Sequence, residues 1–273
     1  MGDRVERGIE LLVKLSRVKA VATDLDGTLT VDRRSYTLPV EAIEAVRSLR
    51  KAGVKVILVT ANGFPIAMAL AKYVGFDGIV AENGCVIAHP EPLYPLRMRR
   101  LCSDNLRDLV REVSGAFSDD VIESWQNDFR LCDFAIVTRR KGEPHEPVIR
   151  RIRAYLEDKG LAGRVKLVSS GYAIHFAPAH CCKLRGLREL LSEMGISLEH
   201  VVGVGDSSLD LEFVTGTGVS VAVSNADEEL KSRVDIITES PSGQGFSELA
   251  RLILDARTVF AGGGEATSQS KGE

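Results

Sequence analysis

The stretch VKAVATDLDGTLT, residues 18–30, is the part of the sequence that determines the fold prediction. An apolar run with β-branched residues ends at Thr23, and Asp24 and Asp26 follow with one residue between them. Two carboxylates this close repel each other and resist removal from water unless a cation lies between them. An isolated Asp-x-Asp is more typical of an acidic surface turn, but the strand before it and the polar groups later in the chain favour a cation-binding site.

Apolar segments of this kind alternate with helical patterns through much of the sequence. The run Val54–Val59 is almost wholly apolar, as is typical of a strand that is covered on both faces of a parallel sheet. We predict strands over 19–23, 54–60, 78–80, 201–205 and 219–223, and helices over 39–52, 65–74 and 184–194. This alternation predicts an α/β fold with a doubly wound parallel sheet.

The middle third of the sequence has a different pattern, which predicts a small α+β module inserted into the parallel core. It contains a hairpin after Cys85, helices over 103–114 and 146–159, and strands over 133–139, 164–169 and 173–177. We predict a discontinuous core formed by 1–84 and 179–260, a cap domain formed by 85–178, and a disordered, low-complexity tail over 261–273. The cap is expected to cover the carboxyl ends of the core strands, where ligands of such sheets bind.

Composition narrows the class of protein. The 273 residues are 44% hydrophobic and 27% charged, and the net charge is −3, so nothing favours nucleic acid or an anionic membrane as a partner. Residues 1–17 alternate charged and apolar side chains, which predicts an amphipathic helix rather than a signal peptide. We therefore expect a cytoplasmic protein that acts on a small molecule, and the sequence leaves its oligomeric state open.

The five cysteines are an odd number without CxxC spacing, which disfavours both a zinc site and a secreted disulfide framework. Adjacent Cys181 and Cys182 are interpreted as small apolar residues near a strand-to-helix junction. The sequence does not decide whether any cysteines pair, Cys102 with Cys132 included.

Three further polar groups fall at the ends of predicted strands or just before helices. They are Thr60 with Ala61 and Asn62, Lys183, and the pair Asp206 and Asp210. With the first two aspartates they supply what phosphoryl transfer through an aspartyl intermediate needs. Mg²⁺ binds carboxylates and phosphate oxygens, and Asp24 and Asp206 can offer carboxylates, with a carbonyl near Asp26 and with Asp210 orienting a bound water.

The remaining groups suit the transferred phosphoryl group. Asp26 lies on the same side of an extended chain as Asp24, where it can protonate the leaving oxygen and later deprotonate water. The Thr60 hydroxyl and the neighbouring N–H groups can hold phosphoryl oxygens. Lys183 adds a compact positive charge that offsets the repulsion between two anions.

In this order, these motifs resemble the haloacid dehalogenase (HAD) superfamily of phosphatases, over about 19–254. Asp24-Leu25-Asp26-Gly27-Thr28-Leu29 resembles its first motif, Thr60 its second, Lys183 its third, and Gly205-Asp206 with Asp210 its fourth. The resemblance implies a Rossmann-like core, Asp24 as nucleophile, Asp26 as acid/base, Thr60 and Lys183 as phosphate ligands, and Mg²⁺ held by Asp24, Asp206 and Asp210. It also suggests that Asn225 lines the phosphate pocket.

The inserted module corresponds to the second cap position of this family, and the closest resemblance is to archaeal-type phosphoglycolate phosphatases. The chain departs from the family pattern where Leu209 replaces a frequent Asn and where Cys182-Lys183-Leu184 replaces Asp-Lys-Gly. The expected reaction is hydrolysis of 2-phosphoglycolate. The alternatives are a sugar-phosphate phosphatase, a phosphomutase and a protein that only binds phosphorylated ligands.

Overall fold

The computed structural model of the protein describes residues 2–90, 97–103, 105–140 and 142–262. These residues form two compact units. The first comprises 2–58, 73–78 and 191–262, and the second comprises the described parts of 59–72 and 79–190. The predicted domain boundaries stay a prediction. Of the predicted tail, 263–273 lie outside the described residues, while 261 and 262 belong to the last helix.

The first unit contains a parallel sheet in the order β12-β11-β10-β1-β2. The strands are β1 (Ala20–Thr23), β2 (Lys55–Val59), β10 (Val201–Gly205), β11 (Val219–Ala222) and β12 (Ile236–Ile237). Strands β1, β10 and β11 are buried along their whole length, as expected of a parallel sheet covered on both faces.

Helices account for the rest of the first unit. They are α1 (Gly2–Ser16), α2 (Val40–Lys51), α7 (Leu211–Thr215), α8 (Glu228–Lys231) and α9 (Ser242–Gly262), and α6 (Lys183–Met194) ends in it. Helix α2 follows Pro39 and stops before Gly53, whose φ of +80° favours glycine. The Arg257 guanidinium of α9 donates to the carbonyls of Val18 (3.0 Å) and Ala52 (3.2 Å), which fixes this helix against the sheet edge.

The second unit begins with α3 (Phe64–Leu70) and continues with two antiparallel groups of strands. The first group is β3 (Gly78–Ala81), β4 (Val86–His89) and β5 (Arg97–Arg100). The second is a separate four-stranded sheet in the order β6-β7-β9-β8, made by β6 (Val121–Glu123), β7 (Phe134–Thr138), β8 (Val165–Ser169) and β9 (Ile174–Pro178). The predicted hairpin after Cys85 is confirmed by the antiparallel β4–β5 pair.

Helices α4 (Arg107–Ala116) and α5 (Glu146–Asp158) cover one face of the separate sheet through a buried apolar core. That core contains Val110 and Val113 from α4, Ile152 from α5, and Ile136 and Phe176 from the sheet. The helix predicted over 103–114 begins later, at Arg107, and the helix predicted over 65–74 ends in a π-helical turn, Ala71–Gly75.

The predicted fold class is confirmed, with a parallel α/β core and a separate antiparallel α+β module. None of the helices in the described residues is long and apolar enough to cross a membrane.

Candidate active site

Three of the predicted metal ligands come together in the first unit. Carboxylate oxygens of Asp24, Asp206 and Asp210 all lie within 4.8 Å of one another, and all three residues are buried. The sheet explains the cluster, because β1 and β10 are adjacent and parallel and end at the same edge. The Asp24 amide donates to the carbonyl of Val204 (3.1 Å), which aligns the two strand ends.

Asp210 is held by its own turn. Its Oδ2 accepts hydrogen bonds from the amides of Asp206 (3.2 Å) and Ser207 (3.1 Å), and the Ser207 hydroxyl accepts from Leu209 (3.1 Å). This is a reciprocal capping box. A Cβ at Gly205 would lie 2.6 Å from the Cβ of Asp210, so only glycine allows this carboxylate so close to the strand.

Asp206 is the member of the cluster that contacts both Thr28 and Arg33. Burial, followed by the nearby Asp210 carboxylate, raises the pKa of Asp206 to about 6, although bonds from Arg33 and Thr28 act in the opposite direction. The Thr28 hydroxyl donates to Oδ1 (3.2 Å), while Arg33 Nε pairs with Oδ2. Three buried carboxylates whose oxygens lie within 4.8 Å of one another, one with a raised pKa, form an oxygen-rich site that fits a hard divalent cation.

Asp26 lies half-buried at the start of the turn that follows β1. The amides of Leu29 (2.8 Å) and Thr30 (3.1 Å) both donate to the carbonyl of Leu25, and Gly27 has a φ of +91°. This tight turn fixes the main chain around Asp26 beside the carboxylate cluster. Its expected roles, as acid/base and as a carbonyl ligand of the metal, stay predictions.

Thr60 and its neighbours form a preorganised turn in the second unit. The Thr60 amide donates a hydrogen bond to the carbonyl of Val80 (2.8 Å). The buried Thr60 hydroxyl accepts hydrogen bonds from the main-chain amide and from Nδ2 of Asn62 (3.1 Å each). Arg130 Nη2 donates to the carbonyl of Ala61 (3.1 Å). These bonds fix the main chain that was predicted to hold phosphoryl oxygens.

Lys183, the first residue of α6, is buried in the same unit. The turn Glu82–Gly84 links it to Thr60, because the amides of Glu82 and Asn83 donate to the carbonyls of Asn62 (3.1 Å) and Thr60 (3.2 Å). On the other side, a Cβ at Gly84 would lie 2.9 Å from the Lys183 nitrogen of the main chain. One turn therefore brings the two predicted phosphate-binding segments together.

Asn225 connects two main-chain segments of the first unit. Its Nδ2 donates to the carbonyl of Gly27 (3.1 Å), and its Oδ1 accepts from the amide of Ser242 (2.6 Å). The side-chain amide thus supports the turn after β1 from behind. A direct bond from Asn225 to phosphate stays a prediction.

A buried polar network centred on Glu82 was not predicted from the sequence. This carboxylate accepts hydrogen bonds from the amides of Phe64, Leu131, Cys132 and Asp133 at 2.8 to 3.2 Å. Burial raises the pKa of Glu82 despite these bonds. A polar Glu-Asn-Gly at the end of a predicted strand was the available signal.

Asp133 extends this network inside the second unit. It accepts from Asn83 Nδ2 (2.5 Å) and pairs with His175 Nδ1 (2.9 Å) and Arg130 (3.5 Å). Burial alone would raise the pKa of Asp133, but the charge and hydrogen bond of His175, with Arg130 and Asn83, lower it. Asp133 thus joins the turn Glu82–Gly84 to β9.

Cys102 and Cys132 form a disulfide across a separation of 30 residues, whereas Cys85, Cys181 and Cys182 are not disulfide-bonded. We expect reduction of this bond to lower the free energy of unfolding by about 3.5 kcal/mol, because the reduced chain regains the entropy of an open loop. Guanidinium titrations with and without a phosphine reductant measure the change. A Cys102→Ser/Cys132→Ser control is expected to be insensitive to reductant, and an equally insensitive wild type would contradict the prediction.

With this geometry, the chain matches the haloacid dehalogenase-like hydrolase family over residues 21–124 and 144–249. The chain therefore belongs to that family and is a hydrolase with the fold described above. Phosphoglycolate phosphatase of Sulfolobus acidocaldarius is 37% identical over 239 residues, covering 87% of this chain and 97% of that protein. The protein of the same name from Staphylothermus marinus is 38% identical over 240 residues, covering 87% and 98%.

Solved structures support the same fold. A Thermoplasma acidophilum protein superimposes with a TM-score of 0.74 at 20% identity, covering 87% of this chain and 98% of that one. A haloacid dehalogenase-like hydrolase from Bacteroides thetaiotaomicron gives a TM-score of 0.72 at 20% identity, covering 86% and 99%. The family model and the relatives at 37% and 38% identity confirm the predicted family, and the solved structures confirm its fold.

Proposed function

We propose that this protein is a phosphoric monoester hydrolase that converts 2-phosphoglycolate to glycolate and phosphate through a phosphoaspartate intermediate, with Mg²⁺ as cofactor. The observation that carries the proposal is the buried cluster of Asp24, Asp206 and Asp210 at the ends of two adjacent parallel strands. Three buried carboxylates this close together cost free energy without a cation, which supports a role for them in catalysis.

Asp24, Asp206 and Asp210 would hold the cation, together with the carbonyl of Asp26. When bound, Mg²⁺ supplies positive charge to phosphoryl oxygens and offsets the repulsion between the phosphate and the attacking carboxylate. The family pattern and the cluster of oxygen donors both support this assignment.

In the first step of the proposed reaction, an Asp24 oxygen attacks phosphorus while the ester bond breaks. The Asp26 carboxyl donates its proton to the leaving oxygen, which releases glycolate and leaves a phosphoaspartate on Asp24. In the second step, the Asp26 carboxylate takes a proton from water, whose oxygen attacks phosphorus. The bond between phosphorus and the Asp24 oxygen breaks, which releases phosphate and restores the Asp24 carboxylate. Thr60 and Lys183 hold the phosphoryl oxygens in both steps.

The substrate is proposed from relatives that bear the name phosphoglycolate phosphatase and cover most of this chain. A sugar-phosphate phosphatase is the second candidate, because the same catalytic groups serve any small phosphomonoester. A phosphomutase shares the phosphoaspartate but returns the phosphoryl group to substrate. We also propose a cytoplasmic location, in keeping with a small diffusible substrate.

The test is phosphate release from 2-phosphoglycolate and a panel of hexose phosphates, measured with Mg²⁺ and after treatment with EDTA. We expect release from 2-phosphoglycolate to be fastest and to fall by at least about a hundredfold without the cation, because charge stabilisation at phosphorus is lost. Restoring Mg²⁺ to the EDTA-treated protein is the control and is expected to restore the rate.

The other outcomes separate the candidates. Faster phosphate release from hexose phosphates than from 2-phosphoglycolate would indicate that the protein is a sugar-phosphate phosphatase. Phosphoryl exchange between substrates without free phosphate would indicate a mutase. Release that is unaffected by EDTA would contradict the proposed use of Mg²⁺.

A further inference from the structure

Arg33, on the loop that follows β1, pairs with one of the three carboxylates of the proposed cation site. Its Nε pairs with Asp206 Oδ2, and its Nη2 donates to the carbonyl of Asp206. Its Nη1 pairs with Asp227 Oδ1 at 2.9 Å. One guanidinium therefore bridges a buried member of the carboxylate cluster and a half-exposed carboxylate at its rim.

The loop that carries Arg33 is well defined at its base. The Thr30 hydroxyl accepts a hydrogen bond from the amide of Gly27 (2.8 Å) and donates one to the carbonyl of Asp32 (2.7 Å). The amide of Val31 donates to the carbonyl of Thr37 (2.9 Å). The Asp32 carboxylate accepts hydrogen bonds from the amides of Arg34 (2.6 Å) and Ser35 (2.8 Å). These bonds link the position of Arg33 directly to the turn after the catalytic aspartates.

A divalent cation held by the three carboxylates would share Asp206 with Arg33. Thr28 already occupies Oδ1, and Arg33 occupies Oδ2. A cation bound by Asp24, Asp206 and Asp210 must approach this carboxylate against the charge of the guanidinium.

Asp227 offers a second anchor for the same side chain. Its carboxylate also accepts from the amide of Ser208 (2.8 Å), and its own amide donates to the carbonyl of Asp206 (2.8 Å), so it stays beside the site. The Arg33 side chain is 43% exposed, which leaves it room to turn outward while bound to Asp227. A guanidinium presents parallel donors that match a phosphate or carboxylate group.

We propose that Arg33 is the internal counter-ion of the cation-free site, that a divalent cation displaces it from Asp206, and that it then binds an anionic group of the substrate. This inference rests on the proposed function, because it assigns Arg33 to the same site. It makes Arg33 a substrate-binding residue of the loaded enzyme and a competitor of the cation in the free one.

The proposal predicts opposite changes in two affinities of the variant Arg33→Met. Calorimetric titration with Mg²⁺ alone is expected to give a Kd at least fivefold lower than that of wild type, because the competing charge is gone. Titration with inorganic phosphate at saturating Mg²⁺ is expected to give a Kd at least fivefold higher, because a donor is lost. Arg34→Met removes an equal charge from an exposed neighbour and is expected to change either Kd less than twofold.

If Arg33 has a purely structural role, Arg33→Met is expected to weaken binding of both Mg²⁺ and phosphate, and that result would overturn the proposal. An affinity of Arg33→Met for Mg²⁺ that is equal to or weaker than that of wild type would also overturn it. An unchanged affinity for phosphate would overturn it as well. Neither titration depends on turnover. If neither wild type nor Arg33→Met binds Mg²⁺, the proposed cofactor is wrong. If the two bind Mg²⁺ equally well, only the proposed role of Arg33 is rejected.

Discussion

Replacing Asp24 with asparagine is expected to lower kcat for phosphate release by a factor of about 10⁴ or more, since an amide cannot attack phosphorus in place of the carboxylate. The residue is buried, its carboxylate lies within 4.8 Å of two others, and asparagine has nearly the same shape. Removing one of three adjacent negative charges also relieves repulsion. The fold is therefore expected to survive with equal or higher stability.

Three measurements check this expectation. Steady-state phosphate release gives kcat, guanidinium denaturation gives the free energy of unfolding, and acid quenching with radiolabelled substrate detects the phosphoenzyme. Asp255→Asn makes the same chemical change at an exposed position on α9 and is expected to behave as wild type. Activity of Asp24→Asn within tenfold of wild type, or a phosphoenzyme in that variant, would reject Asp24 as the nucleophile.

Replacing Glu82 with alanine is expected to lower the free energy of unfolding by at least about 4 kcal/mol, because each buried N–H left without a partner costs about 1–3 kcal/mol. The carboxylate accepts from four main-chain amides, three of which are consecutive, at 131–133. It also anchors a residue whose φ is +52°, a strained conformation for glutamate.

The controls for this prediction distinguish the lost acceptor from the lost charge. Glu82→Gln keeps one acceptor oxygen and is expected to lose about half as much free energy of unfolding. Glu157→Ala, at an exposed position on α5 of the same unit, is expected to change it by less than about 0.5 kcal/mol. The prediction is wrong if guanidinium titration places Glu82→Ala within 1 kcal/mol of wild type, by the same scale of surface effects.

The same network makes Glu82 relevant to catalysis, although it touches no predicted substrate position. Its turn contacts the segment of Thr60 and Asn62 on one side and the start of α6 on the other. Loosening the turn is therefore expected to misplace both predicted phosphate-binding segments. A fall in kcat for Glu82→Gln that exceeds its loss of folded protein would report this effect.

Local sequence was enough to predict the parallel core, because strands buried on both faces leave long apolar runs and glycine marks helix ends such as Gly53. It was also enough to predict that Asp24 and Asp206 meet, since both follow strands that end at one edge of a parallel sheet. Helix starts were less accurate, as the later start of α4 at Arg107 shows. The reason is that the ends of an exposed helix depend on weak local preferences.

Only the tertiary structure decided the rest of the site. Nothing in a single sequence distinguishes Arg33 from Arg34, because the difference is which guanidinium reaches Asp206 across 173 positions of chain. The disulfide between Cys102 and Cys132 likewise joins segments far apart in sequence. The same is true of the hydrogen bonds that Glu82 accepts from the amides of 131–133. Residue type and spacing determine local chemistry, whereas ion pairs, disulfides and buried hydrogen bonds between distant segments are fixed only when the chain folds.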